Sequence, residues 1–281
     1  MAQTFTAASV PDVSGRTFLV TGANTGIGYE AAAVLAARGA RVLLACRDPE
    51  RGGAARERIL EAHPAADCSF VQLDLGSLES VRKAADQIRS EPRLDVLVNN
   101  AGIMIPPRQE TADGFESQFG VNHLGHFALT GLLLDKLHEA DGARVVTVSS
   151  SAHVSGKIAF DDIHATRSYN KAARYGMSKL ANLLFTYELQ RRLDAGGVGT
   201  IAVACHPGVS ETELSRDFPK WMLLLTPLIK VFSHEPPEAA LPTLRAATDA
   251  SVQGGEYYGP GGLFDLSGPP KRAKSSSASY D

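Results

Sequence analysis

Thr17-Phe18-Leu19-Val20-Thr21-Gly22-Ala23-Asn24-Thr25-Gly26-Ile27-Gly28 is the stretch whose reading decides the fold of this chain. Thr17 to Val20 is a short apolar run that suits a buried strand. A glycine-rich turn follows at once, and the pattern from about Ile27 to Arg38 predicts a helix closed by Gly39. Strand, glycine turn and helix in that order form the context of a dinucleotide site. The glycines let the backbone approach a pyrophosphate, and the helix N-terminus offers unpaired N–H groups and partial positive charge. The spacing is G-x-x-x-G-x-G, one residue wider in its first gap than the common G-x-G-x-x-G fingerprint.

Outward from this turn, short apolar runs alternate with helical patterns. Strands are predicted at Arg41 to Cys46, Ser69 to Leu73, Leu94 to Val98, Arg144 to Val148 and Thr200 to Cys205. Helices are predicted at Pro49 to Ala62, from Ser77 to near Pro92, and at about Thr111 to Leu137. Such alternation predicts an α/β single-domain Rossmann fold, a doubly wound parallel sheet with helices on both faces and ligands at the strands' C-terminal ends. Thr21, Arg47, Asp74, Asn99, Ser150 and Pro207 all fall at such ends. The residue ending the second strand reads the cofactor's adenosine ribose. An arginine there pairs with the 2′-phosphate of NADP, and a carboxylate with the free hydroxyls of NAD. Arg47 stands first after the strand and favours NADP(H); Asp48 would take its place, and favour NAD(H), if the boundary moved by one residue. Asp74 suits either an adenine contact or the cap of the following helix.

Tyr175-Gly176-Met177-Ser178-Lys179 opens a further amphipathic helix, Tyr175 to Leu193. Residues four apart share a helix face, so the Tyr175 hydroxyl and the Lys179 ammonium lie together. A nearby cation favours phenolate and would lower the tyrosine pKa for proton transfer to or from an alcohol or carbonyl. Asn122, inside the Thr111–Leu137 helix, is a poor interior residue and predicts a kink or a function there. His123 and His126 have no carboxylate at metal-ligand spacing and read as packing or surface residues; no metal site is expected. An apolar segment, Phe218 to Ser233, predicts a lid, at about 210–236, over an apolar ligand.

The chain has 281 residues, 44% of them apolar and 21% charged, enough to build one large core. A formal net charge of −3 gives no basic field, which excludes a broad nucleic-acid surface. Three widely spaced cysteines, Cys46, Cys68 and Cys205, read as free thiols of a reducing compartment. Neither a secretory signal nor a run of membrane-spanning length is visible, so a cytoplasmic protein is expected. Residues 1–14 read as a flexible leader, 15–266 as the catalytic domain and 267–281 as a disordered tail.

Taken together, Thr21-Gly22-Ala23-Asn24-Thr25-Gly26-Ile27-Gly28, Asn99-Asn100-Ala101-Gly102, Asn122, Ser149-Ser150, Tyr175-x-x-x-Lys179 and Pro207-Gly208 resemble the short-chain dehydrogenase/reductase family. Val121-Asn122-His123-Leu124-Gly125-His126-Phe127, Ser178-Lys179-Leu180-Ala181-Asn182 and Ala45-Cys46-Arg47-Asp48 are similar to its retinol dehydrogenase branch. The resemblance implies an oxidoreductase, carbonyl reductase or alcohol dehydrogenase, acting on a hydrophobic small molecule. It implies Tyr175 as general acid/base, Lys179 as the group that lowers its pKa and holds the nicotinamide ribose, Ser150 on the substrate oxygen, and Asn122 on a water leading to Lys179. The implied cofactor shell is Gly22, Asn24, Thr25, Gly26, Ile27, Gly28, Arg47, Asp74, Leu75, Asn100, Ala101, Gly102, Tyr175, Lys179, Pro207, Gly208, Val209 and Thr212. A homodimer or homotetramer is the implied assembly. The competing class is an NAD(P)-binding sensor or scaffold without turnover, for which the proton-relay residues would be needless.

Overall fold

The computed structural model describes residues 4–208, 235–262 and 267–280. The expected lid at about 210–236 lies almost wholly outside them, as do Val209 and Thr212. Eight strands form one sheet in the order β3-β2-β1-β4-β5-β6-β7-β8. They are β1 (Thr17–Thr21), β2 (Arg41–Cys46), β3 (Asp67–Gln72), β4 (Val96–Asn99), β5 (Arg144–Val148), β6 (Ile201–Cys205), β7 (Tyr257–Pro260) and β8 (Pro270–Arg272). All pairings are parallel except that of β8 with β7. The order reverses between β1 and β4, and at this switch point the strand ends splay apart and leave a crevice for a ligand.

Each central strand is buried on both faces, so its alternate side chains enter two separate cores. Phe18 and Val20 of β1, Val96 and Val98 of β4, and Val146 of β5 enter one core. It is closed by α1 (Gly26–Ala37) and by two later helices, α7 (Pro236–Ala239) and α8 (Leu241–Thr248). Leu19, Leu97 and Val145 point the other way. There they meet α3 (Leu78–Arg89), α5 (Gly125–His138) and α6 (Lys171–Ala195). The remaining crossover, α2 (Pro49–Ala62), packs beside β2 and β3.

Three expectations need correction. The Thr111–Leu137 helix starts only at α4 (Ser117–Phe119), because the buried Glu116 carboxylate accepts the N–H groups of Gln118 and Phe119, both at 2.9 Å, and so caps it there. The leader is docked rather than loose: Phe5, Val10 and Val13 are buried in the α1 core, and Arg38 bonds the carbonyls of Ala7 and Ala8. The tail is placed as well. Its β8 pairs with β7, and Tyr280 stacks on Tyr187 of α6 with ring centroids 4.8 Å apart. A Ser- and Lys-rich composition hid both anchors, since backbone pairing and one aromatic ring leave no periodic signal.

Candidate active site

At the end of β1 the chain turns through Gly22 and Gly26, at φ +68° and +56°, in the left-handed region that favours glycine. A Cβ on Gly28 would strike the Asn100 side-chain amide and come within 2.5 Å of the Gly22 carbonyl. Thr25 precedes α1 without a side-chain bond to the helix, so the first-turn N–H groups are not taken by a cap. The result is a close-approach backbone cradle at a helix N-terminus, which suits a pyrophosphate. Asn24 and Thr25 line its rim half-buried, whereas the Ile27 side chain belongs to the core.

The end of β4 is tied to this cradle. Thr21 Oγ1 accepts the N–H groups of Asn100 and Ala101 at 2.9 and 3.0 Å, and Asn100 Nδ2 donates to the Thr21 carbonyl at 2.7 Å. His126, expected to be a packing or surface residue, is buried and joins the same network. Its Nδ1 lies 3.0 Å from the Asn122 carbonyl, which can only accept, so Nδ1 carries the proton. Nε2 is then the acceptor, and the Thr21 hydroxyl donates to it at 2.9 Å. Burial pushes this imidazole down to about 3, so the ring stays neutral, as the two bonds require.

Asn122 lies in a single π-helical turn, Gly120–Leu124, between α4 and α5. The kink expected from an interior asparagine therefore exists. Its amide closes a reciprocal pair with Ile103, accepting from the N–H at 2.8 Å and donating to the carbonyl at 3.0 Å, and also donates to Ser178 Oγ at 3.0 Å. Gly125 lets α5 touch the backbone of Leu75, which a Cβ would overlap. Leu75 is thereby held against α5 and buried in the core on that face of the sheet.

Ser150 lies two residues beyond β5 and caps a short 3₁₀ turn, Ser151–Ser155. That turn rests directly on α6. A Cβ on Gly176 would lie 2.9 Å from the Ala152 carbonyl, and one on Gly156 2.5 Å from the Gly176 carbonyl. This glycine-to-glycine contact seats the Ser150 turn on the stretch of α6 that carries Tyr175, and the Ser150 side chain lies near enough to act on the Tyr175 hydroxyl, drawing its pKa down. Helix α6 begins at Lys171, four residues before Tyr175, because Asn170 caps it through the N–H groups of Ala172 and Ala173. Gly176→Val should push the turn off the helix and lower kcat at least about tenfold, since a displacement near 1 Å at reacting groups is costly. Cofactor affinity should stay within about twofold, because the glycine cradle is remote from this contact; a fall in affinity matching that in kcat would contradict this placement.

Lys179 is buried, and its Nζ donates to the Val148 carbonyl at 3.1 Å and stands 5.7 Å from the centre of the Tyr175 ring. The expectation that Lys179 lowers the tyrosine pKa is not met in this structure. Burial pushes the Tyr175 hydroxyl above the ordinary phenol value, with the Ser150 side chain opposing it. Burial likewise pulls the Lys179 ammonium down to about 8. Both groups lose hydration, and the amine is held on a carbonyl rather than on the phenol oxygen. Asn182 Nδ2 donates to the same Val148 carbonyl at 3.2 Å.

At the far end of the crevice, Asp48 accepts the N–H groups of Glu50 and Arg51 at 3.0 and 3.1 Å as the N-cap of α2. It is engaged as a structural cap while Arg47 stands exposed at the end of β2. Asp74 does not cap α3; Ser77 does, and Asp74 Oδ1 instead accepts the Gly76 N–H at 2.8 Å. Gly102 faces the Asn122 amide and Lys179, with a Cβ there 3.2 Å from Asn122 Oδ1 and 3.6 Å from Lys179 Nζ. Pro207 and Gly208, the latter at φ +78°, follow β6. Close contacts join Gly22, Gly28, Asn100 and Ala101 at one end of the crevice, and Gly102, Asn122 and Lys179 at the other. His126, Ser178 and Asn182 were not assigned a role in it, since their contacts join segments remote in sequence.

Comparison with known proteins agrees with this geometry. A sequence model described as short chain dehydrogenase matches residues 16–223. Human retinol dehydrogenase 13 is 52% identical over 206 residues, covering 73% of this chain but 62% of its own length. Mouse retinol dehydrogenase 12 is 45% identical over 250 residues, with 88% of this chain and 78% of its own length covered. Among solved structures, an uncharacterized protein from Mycobacterium paratuberculosis superposes with a TM-score of 0.83 at 42% identity, covering 99% of this chain and 92% of its own. A gluconate 5-dehydrogenase from Beutenbergia cavernae, described as NAD(P)-dependent and with bound NADP, gives a TM-score of 0.70 at 26% identity over 88% of this chain and 95% of its own.

Proposed function

The chain belongs to the short-chain dehydrogenase family, and from that premise we propose that it is an NADP(H)-dependent oxidoreductase of the retinol dehydrogenase-like branch. Its substrate would be a hydrophobic carbonyl compound or the corresponding primary or secondary alcohol. The observation that carries this reading is the seat of Ser150 on Tyr175 through the Gly156–Gly176 contact, beside a buried Lys179 and a glycine cradle. A non-catalytic nucleotide sensor would have no use for the first of these.

When bound, the nicotinamide supplies or accepts a hydride, that is, a hydrogen with both electrons. The residues of the chain handle the proton. In reduction the Tyr175 O–H bond breaks, its proton passes to the substrate oxygen, and the Ser150 hydroxyl steadies the negative charge developing there. Because burial holds the tyrosine pKa up, the hydroxyl is protonated at neutral pH and ready to donate. In oxidation the same atoms return the proton to the phenolate. Gly22, Asn24, Thr25, Gly26, Ile27 and Gly28 would hold the pyrophosphate through backbone groups. Asp74, Leu75, Asn100, Ala101 and Gly102 would line the adenine and ribose side, and Lys179, Pro207 and Gly208 the nicotinamide ribose and ring.

Arg47, rather than the capped Asp48, would meet the adenosine ribose, which supports NADP(H) over NAD(H). Arg47→Ala should therefore raise KM for NADPH about tenfold, the loss of one charge-assisted phosphate contact, and leave KM for NADH within about twofold. Equal effects on both cofactors would refute the assignment. A cytoplasmic location and a homodimer or homotetramer belong to the same proposal. No helix among the described residues is long and apolar enough to cross a membrane. The test of the whole reading is a panel of apolar aldehydes, ketones and alcohols assayed with NADPH, NADH and their oxidised forms at the nicotinamide absorbance. Saturable turnover with NADP(H) is expected; tight cofactor binding without turnover on any member would favour the sensor.

A further inference from the structure

His153 is buried, with 3% of its surface exposed, in the turn that follows Ser150. Its Nδ1 lies 2.7 Å from the Ser150 carbonyl, the same carbonyl that accepts the His153 backbone N–H at 3.0 Å. A carbonyl can only accept, so Nδ1 bears the ring proton. In the neutral ring Nε2 is then bare, and it accepts the backbone N–H of Ser276 at 3.1 Å. One imidazole therefore joins the site serine to the C-terminal segment, and the tautomer needed at one end is the tautomer needed at the other.

The segment that supplies Ser276 is itself anchored at two places. Its β8 pairs with β7, placing Tyr258 opposite Arg272. Beyond that, Tyr187 bonds Ser275 Oγ at 2.8 Å, Ser279 Oγ lies 2.7 Å from Ser275 Oγ and donates to the Ser276 carbonyl at 2.6 Å, and Tyr280 stacks on Tyr187. Tyr187 is a residue of α6, the helix that carries Tyr175 and Lys179. The edge of the His153 ring meets Tyr257 at 5.7 Å, and Tyr257 in turn lies against His206 at 5.2 Å, next to Pro207 and Gly208. A closed path thus runs from Ser150 through His153, Ser276, Ser275 and Tyr187 into α6 and back to Tyr175.

We propose that the C-terminal segment 270–280 is a strut of the active site, and that His153 is a positioning residue through which it sets Ser150 against Tyr175. The proposal rests on the oxidoreductase reading above. The glycine contact fixes how closely the Ser150 turn approaches α6, whereas the His153 bridge fixes the rotation of the turn about that contact. Without it, the Ser150 carbonyl loses its second donor and the turn is held from one side only.

The Ser276 N–H can be deleted without disturbing the backbone, because Ser276 sits at φ −65°, the value proline imposes. Ser276→Pro should lower kcat about three- to tenfold, the loss of one positioning hydrogen bond, with KM for NADPH within about twofold. His153→Ala should lower kcat at least as much, and Ser276→Pro added to it should cause no further fall. Truncation after Lys274 should reproduce the Ser276→Pro loss. Unchanged kcat in Ser276→Pro, or effects of the two substitutions that multiply, would overturn the strut. Nitrogen-15 NMR of the His153 ring supplies a readout independent of turnover. In wild type it should show a protonated Nδ1 and a hydrogen-bonded Nε2, and in Ser276→Pro the Nε2 resonance should move toward that of an unbonded ring nitrogen. An unmoved Nε2 resonance would refute the bridge even if no substrate in the panel reacted, whereas a shift in a protein without turnover would leave the bridge standing and the oxidoreductase reading failed.

Discussion

Tyr175→Phe is expected to lower turnover at least about 10²-fold while NADPH binding stays close to wild type. The substitution deletes one oxygen and keeps the ring, so the packing of α6 changes little. Tyr175 is half-buried with the Ser150 side chain acting on its hydroxyl, which makes that hydroxyl the group proposed to give a proton to an oxygen held by the serine. Its raised pKa adds a direction to the prediction. Reduction uses the protonated phenol and should hold its rate through neutral pH, whereas oxidation needs the phenolate and should rise with pH. Stopped-flow traces of a single turnover in each direction, wild type against Tyr175→Phe, would show whether the loss is in the chemical step. Near-wild-type single-turnover rates would remove Tyr175 from the proton path.

Lys179→Met should lose activity and gain stability together. The ammonium is buried, 4% exposed, and burial pulls it down to about 8 from an ordinary value of 10.5. Between those two values the unfolded chain binds the proton more firmly than the folded one. Its contribution to unfolding free energy therefore rises as pH climbs from about 8 through 10.5. Below about 8 both states are protonated and the full cost of burying the charge is present. Methionine removes that cost, and the Val148 carbonyl keeps a donor in Asn182 Nδ2 at 3.2 Å. At pH near 7 the variant should therefore be more stable by on the order of 1–3 kcal/mol. That advantage should shrink as pH rises through the same window. Turnover should fall at least about tenfold, since the amine stands 5.7 Å from the centre of the tyrosine ring. Urea melts of both proteins across pH 7 to 10.5 would check the sign; a variant less stable at every pH would mean that the amine's hydrogen bond outweighs its desolvation.

The architecture was legible in the chain because its signals are local. Apolar runs of strand length, the glycine turn and the helical spacing each act over a few residues, and together they located the first six strands, whereas the switch point between β1 and β4 came from the sheet order. The kink at Asn122 was legible for the same reason, since an amide inside a helix competes with its own backbone. The antiparallel edge strand, the docked leader and the bound tail were not, because each is held by partners far away in the sequence. That Asp48 serves as the cap of α2 likewise became visible only in the fold.

By itself, then, the sequence determined the fold and the glycine turn and named candidate residues for the chemistry, for these follow from residue type and short spacing. Only the tertiary structure decided how those residues are tuned and held. Thr21 meets His126 across 105 positions, and Ser276 meets His153 across 123. The pKa of Tyr175 is governed by the burial that packing creates rather than by the cation four residues along. Hydrogen-bond partners and desolvation are properties of a folded interior, and no periodicity in a chain encodes which distant group will share a carbonyl or exclude the water.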